Sequence, residues 1–569
     1  MKKGRYILLL ALFFIVLVLA AAVSFFVFEI GRTPAIPASA YLEIRLVGPL
    51  LEYPELSFFS SFFPGGHGMS VHDIWMSLRK AAVDPRIAAV LLRLGALDCD
   101  WAKCAELRDA VLEFRASGKK AYAAIEEAPQ FTKEYYLATA CDRIILHPLG
   151  WLGIPGIGGQ VPFFKNALDR LGIQVDVQHI EEYKTAYSQF TETGFTPAHR
   201  EMTEALLADQ FAQFVRTVAE ARGKTEAEVR DLVDTAFFQG EEAVRAGLVD
   251  DLLYEDQIVS LIERGGRKVE RTPLADYARI APSAVGLGRG RRMALIYGSG
   301  PIHEGESGPG SMGAETIARA FRAARRDASL VAVVFRVDSP GGSAVASDVI
   351  WREIELCKKT KPVVVSMSDL AGSGGYWVAM GASKIVAQPQ TLTGSIGVLT
   401  GKVNLAPLLE KLGITTETVR FGARSDLFTP FRGWTDEERK LLKKEIRWIY
   451  DRFVAKAAEG RKLSMDSVEK IARGRVWTGA QAKALGLVDE LGGLSTAIAL
   501  AKQLAGLPKT EDVDLVVWPK RAGFWKILFG LRDSDAQTAL PRELGRVLEL
   551  ARVLDQDRVW ALMPLWIGF

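Results

Sequence analysis

The chain has 569 residues, 49% of them hydrophobic and 24% charged, which supplies apolar material for more than one core and excludes a wholly disordered protein. A formal net charge of +3 gives no whole-chain basis for binding nucleic acid. The four cysteines (Cys99, Cys104, Cys141 and Cys357) show neither paired metal-ligand spacing nor a disulfide framework, and no metal or cofactor motif is present.

Residues 1–5 are basic, with Lys2, Lys3 and Arg5, and 6–28 form an apolar run interrupted only by Tyr6 and Ser24. That length predicts a single uncleaved transmembrane helix, with the basic end in the cytoplasm and everything after Glu29 on the far side. A Pro-containing linker, 29–39, leads into the body. There the chain alternates short β-branched runs with amphipathic helical stretches, the pattern of βαβ units. Between Leu56 and Phe63 lie four phenylalanines, which either pack under their own domain or face a membrane or a subunit. The basic, Gly-rich stretch 282–292 is a second linker. The Gly-rich segment His303–Gly313 lacks the Gly-Lys-Ser/Thr ending of a phosphate loop and reads as a mobile loop. The tail, 511–569, is partly amphipathic and too short in its apolar runs to span, so it is expected to dock on the body or the membrane surface.

The body contains its own echo. Asp84–Arg93 (Asp-Pro-Arg-Ile-Ala-Ala-Val-Leu-Leu-Arg) answers Asp327–Arg336 (Asp-Ala-Ser-Leu-Val-Ala-Val-Val-Phe-Arg), and Gly247-Leu-Val-Asp answers Gly486-Leu-Val-Asp. By subtraction the offset drifts only from 243 to 239, so residues 40–281 and 293–510 are a duplicated α/β domain, copy one and copy two. In copy two the expected elements are a strand at Val331–Val337, a helix at Val345–Cys357 and a strand at Pro362–Ser368, with a helix after Ser373. A helix over 435–459 opens with Thr435 and Glu438 as a capping box, and its counterpart begins near Thr196.

Ser373 sits between Gly372, Gly374 and Gly375 where a strand should turn into a helix. Glycines permit close approach of another backbone, and a helix N-terminus offers free N–H groups to developing negative charge. The same residues would also serve as an ordinary strand-to-helix turn. The duplication argues against that: at this position copy one has Thr132 without the glycines, and opposite Asp338-Ser-Pro-Gly-Gly-Ser343 it has Gly95–Asp100. A serine nucleophile needs a proton acceptor, but the six histidines all lie outside the core of copy two. A buried lysine with a depressed pKa is an alternative base. Copy one offers Lys184, whose counterpart in copy two is Ser425; a surface lysine remains the other reading.

Arg336-Val-Asp-Ser-Pro-Gly-Gly-Ser343, Ala371-Gly-Ser-Gly-Gly-Tyr-Trp377, Leu392-Thr-Gly-Ser-Ile-Gly-Val398 and Tyr183-Lys-Thr-Ala resemble the motifs of the signal peptide peptidase A (protease IV) family in its long, duplicated, membrane-anchored form. The resemblance implies two tandem Clp-protease/crotonase-like domains after the anchor, and a serine–lysine dyad assembled between the copies. It implies Ser373 as nucleophile, Lys184 as general base, Ser395 as the serine that orients the lysine, and Gly341 and Gly374 as oxyanion-hole donors. Each such donor is worth roughly 3–4 kcal/mol in comparable acyl-transfer enzymes. It further implies a homotetramer on the bacterial inner membrane, its catalytic body on the extracytoplasmic side, degrading cleaved signal peptides without a cofactor. Asp338 stands where Asn is common and Gly372 where Ala is common, and neither is expected to touch the chemistry. Two competing readings arise from the same fold: a crotonase-like acyl-CoA enzyme, in which Ser373 would be dispensable, and a non-catalytic envelope scaffold, which would not need the glycine turns.

Overall fold

The structure, a computed structural model, describes residues 34–53, 69–126, 131–263, 268–519 and 560–562. The expected anchor at 6–28, the phenylalanine cluster and most of the tail lie outside the described residues. Among those described, no helix is long and apolar enough to cross a membrane.

Each copy is built on a parallel sheet with the same strand order. In copy one the order is Asp251–Leu252, Arg143–Leu146, Lys120–Ile125, Ile87–Asp98, Ala40–Pro49 and Glu270–Pro273. In copy two it is Glu490–Leu491, Lys384–Ala387, Val363–Gly372, Leu330–Ser339, Arg291–Ser299 and Val513–Trp518. The edge strand Val513–Trp518 matches Glu270–Pro273, so the second repeat runs past residue 510, the boundary expected from sequence. The tail begins only after Trp518.

Period-two alternation makes the sheet of copy two a shared wall. Met293, Leu295, Tyr297, Ala332, Val334 and Val364 face the core they share with copy one. Ala294, Ile296, Val333, Phe335, Val337 and Val365 face copy two's own helices. The helices that pack against copy two's face of this wall include Ala344–Lys358, and the long helix Asp436–Arg461 opens with both halves of the Thr435–Glu438 capping box in place. Pro197–Arg222 answers it in copy one, with Thr196 as its N-cap. The segment expected to be a mobile loop, His303–Gly313, is tied across itself: Gly313 N–H donates to Ser307 Oγ, and Gly308 N–H to Ser311 Oγ.

Two differences between the copies position the site. The strand Val363–Gly372 of copy two is long enough to pair Leu370–Gly372 with Leu392–Gly394, which in turn pairs Val476–Thr478. The corresponding strands of copy one, Trp151–Gly153 and Phe237–Gln239, pair only with each other. The second difference is a mixed sheet in which Gln174–His179 of copy one runs antiparallel to Leu399–Asn404 of copy two. The same sheet includes Gly341–Ser343 and, between that strand and Leu399–Asn404, the C-terminal strand Trp560–Leu562.

Candidate active site

Lys184 reaches copy two because its strand is stitched there. After the ladder of Gln174–His179, Ile180 N–H donates to Val398 O and Tyr183 N–H to Arg473 O. Lys184 Nζ then lies 2.7 Å from Ser373 Oγ, 3.0 Å from Ser395 O and 3.1 Å from Ser395 Oγ. All three side chains are fully buried. Burial holds the Lys184 ammonium well below the ordinary lysine value, with no charged group among the described residues opposing it. A neutral amine beside a serine hydroxyl is a base in hydrogen-bond reach of a nucleophile. Among the described residues no histidine bonds to Ser373, whose hydroxyl otherwise reaches only Gly397 O, at 3.5 Å.

The backbone around this pair is strained. Among the described residues six non-glycine residues have positive φ, and four of them surround Lys184: Glu181, Ser373, Ser395 and Arg473. Such conformations cost of order 1–3 kcal/mol each and persist where the surroundings over-determine them. Ser373 is fixed by Gly394 O, which accepts its N–H, and by Trp377 N–H, which donates to its carbonyl. Ser395 N–H donates to Arg475 O.

Gly374 opens the helix Gly374–Ala379, so its N–H has no acceptor within the helix. A Cβ there would lie 2.7 Å from Ser347 Oγ and 3.0 Å from Gly341 Cα, so the two turns come this close because position 374 carries no side chain. Gly341 has φ +100, and its N–H donates to Ser339 Oγ at 3.1 Å. On its other side Gly341 is opposite Leu562, and the strand Trp560–Leu562 runs antiparallel to Gly341–Ser343 and against the helix that begins at Gly374.

Sequence reasoning brought together Ser373, Lys184, Ser395, Gly341 and Gly374, and the structure places all five in one cluster. It missed Gly474. A Cβ on Gly474 would lie 2.5 Å from Lys184 N and 2.7 Å from its Cα, and φ is +81. The only trace in the sequence is a glycine between Arg473 and Arg475, after a helix. Ser425, the counterpart of Lys184, is exposed and bonds only within its own turn.

A family model described as Peptidase family S49 matches residues 113–270 and again 355–508. The chain belongs to peptidase family S49. Among its relatives, the chloroplastic serine protease SPPA of Arabidopsis thaliana is 38% identical over 79% of this chain and 68% of its own length. Protease 4 of Salmonella typhi is 33% identical over 77% of this chain and 72% of its own, and Protease 4 of Haemophilus influenzae 31% identical over 77% and 73%. A solved structure, ClpP1 from Listeria monocytogenes, aligns with 35% of this chain and 91% of its own at 17% identity, with a TM-score of 0.23 that leaves the fold to be read from the strand order itself. This S49 chain is a serine peptidase, and one matched region falls within each copy.

Proposed function

We propose that this S49 peptidase works by a Ser373–Lys184 dyad and degrades cleaved signal peptides and similar apolar peptides. The observation that carries it is the 2.7 Å contact between a buried lysine without a counter-charge and a serine on a strained turn. An extended peptide lies as an added strand beside Gly341–Ser343, in the lane where Trp560–Leu562 now runs. Neutral Lys184 takes the Ser373 proton as Oγ attacks the peptide carbonyl. Ser395 keeps the amine in line. The N–H groups of Gly374 and Gly341 receive the oxyanion as Gly341 leaves Ser339 Oγ. Lys184 then protonates the leaving amine, and the acyl-enzyme is hydrolysed by water activated the same way.

Assembly and location belong to the same reading. The segment of copy two that corresponds to Gln174–Ile180 is 415–421. It forms no strand, and it leaves Val419 and Phe421 84% and 94% exposed, whereas Ile180 is buried. Inside one chain the corresponding segment of copy one is covered by copy two. A second chain covering 415–421 in the same way gives a head-to-tail ring, the heterologous contact that closes into an oligomer such as a homotetramer. The apolar run at 6–28 anchors that ring as a single transmembrane pass, with the body on the extracytoplasmic side of the bacterial inner membrane.

The test is a peptidase assay on an apolar signal peptide with wild type, Ser373→Ala and Lys184→Ala. Each variant is expected to lose roughly 10⁴-fold or more. In wild type kcat/KM should rise between about pH 6 and pH 9, because the active species is the deprotonated lysine whose pKa burial lowers. Full activity in either variant, or a flat profile, sinks the dyad; an indifferent Ser373→Ala favours the acyl-CoA reading.

A further inference from the structure

Copy one sends a second lysine toward the active site. Lys103 lies on the first turn of helix Trp101–Arg115, and its Nζ is 2.7 Å from Asp338 Oδ2 and 3.3 Å from Asp369 Oδ2. Asp338 is the penultimate residue of the strand Leu330–Ser339, three residues before Gly341, and Asp369 lies four residues before Ser373. Each carboxylate is held by more than the lysine. Asp369 receives the N–H groups of Asp100 and Lys103 at 3.0 and 2.7 Å, so it caps the N-terminus of the helix of copy one. Asp338 Oδ1 receives the N–H of Leu370 at 3.2 Å, tying the strand before one glycine turn to the strand before the other.

We propose that Lys103 is a positioning residue for the peptidase reaction: by joining Asp338 to Asp369 it sets the spacing between the turn that carries Gly341 and the turn that carries Ser373. The side chains of Lys103, Asp338 and Asp369 are only 10%, 16% and 5% exposed, so the charges are poorly screened. Burial pushes both carboxyls up and Lys103 opposes it; their negative charge holds the lysine well above its usual value, hence charged. Glu52 adds to that field from the neighbouring Arg336–Glu52–Glu106 cluster. Without the ammonium, two buried carboxylates would face each other across the gap that the oxyanion hole must keep constant, and a break in such a pair is costly.

The contact has no counterpart in the other direction. The residue of copy two corresponding to Lys103 is Ala346, and the residue of copy one corresponding to Asp338 is Gly95, each at an offset of 243 by subtraction. A general fastener between duplicated domains has no need to end on the two turns that only copy two possesses. Asp338, read from sequence as a departure remote from the chemistry, is the group Lys103 holds.

This inference rests on the serine–lysine reading, and the experiment separates the two. Wild type, Lys103→Met, Lys103→Arg, Asp338→Asn and Lys103→Met/Asp338→Asn are assayed for turnover of an apolar fluorogenic peptide and for the rate at which a fluorophosphonate labels Ser373. Lys103→Met should lower kcat about tenfold to a hundredfold, slow labelling by the same factor and leave KM within about twofold, because displaced reacting groups cost rate rather than binding. Lys103→Arg should restore most of the loss. The added Asp338→Asn should recover part of it by removing the carboxylate left unpaired. A folded Lys103→Met with wild-type kcat overturns the inference, as does a loss confined to KM or one that follows the folded fraction alone. If Lys103→Met does not fold, Asp338→Asn alone decides: its kcat should fall severalfold, and an unchanged kcat overturns the inference. A wild-type chain that is neither active nor labelled overturns the dyad reading and this one with it; an active wild type beside an indifferent Lys103→Met overturns this one alone.

Discussion

The two copies share a strand order and differ in what they do with the ends of the strands. Copy two extends Val363–Gly372 into the glycine turn of Ser373 and pairs it with Leu392–Gly394. At the matching place copy one has Thr132, at the start of a helix, its hydroxyl donating to Gly156 O. Copy one instead keeps the strand Gln174–His179 that delivers Lys184, while the equivalent segment of copy two lies exposed. In the proposed dyad, nucleophile and base make opposite demands. The serine needs a strained, glycine-rich turn beside free N–H groups, whereas the lysine needs complete desolvation without a carboxylate nearby. Dividing them between two copies of one scaffold lets each demand be met where the other does not interfere.

Three measurements would break or sharpen this comparison. Gly474→Ala should have the largest effect, because the added methyl must displace the Lys184 backbone and adopt a positive φ. A loss in kcat of about a hundredfold is expected, measured as turnover per labelled site; wild-type kcat would mean that copy two does not set where the lysine of copy one sits. Deleting residues 520–569 should come next. It clears the strand from beside Gly341–Ser343 while leaving the sheet intact through Trp518, so KM for an added peptide should fall severalfold with kcat unchanged. An unchanged KM would place the substrate elsewhere. Thr132→Ala should have the smallest effect. It removes one partly buried hydrogen bond, worth about 1 kcal/mol in thermal unfolding, and should leave kcat/KM unaltered; a catalytic loss there would mean that copy one still contributes its own nucleophile position.

Much of the scaffold was legible in the sequence because its signals are local. Alternating β-branched runs and helical stretches name the βαβ units, Thr435 with Glu438 marks a helix start, and two glycine-rich stretches mark turns that the other copy lacks. The end of the second repeat was misplaced because Val513–Trp518 is an edge strand, and a short edge strand carries little pattern until it is seen paired with Arg291–Ser299. Gly474 was invisible for a related reason. A glycine is required there by its positive φ and by the backbone of a residue nearly three hundred positions away, and nothing in the surrounding sequence announces either.

By itself the sequence determined the duplication, the order of strands and helices, and the conspicuous serine among glycines, since each is a pattern within one stretch or between two stretches at constant offset. Tertiary structure alone decided that Lys184 loses all contact with water beside Ser373 and that Lys103 joins Asp338 to Asp369. It also decided that the C-terminal strand lies beside Gly341. A depressed lysine pKa is a property of the surrounding dielectric, and an ion pair is a property of distance. Both are set by the register in which strands far apart in the chain pair, as Gln174–His179 does with Leu399–Asn404.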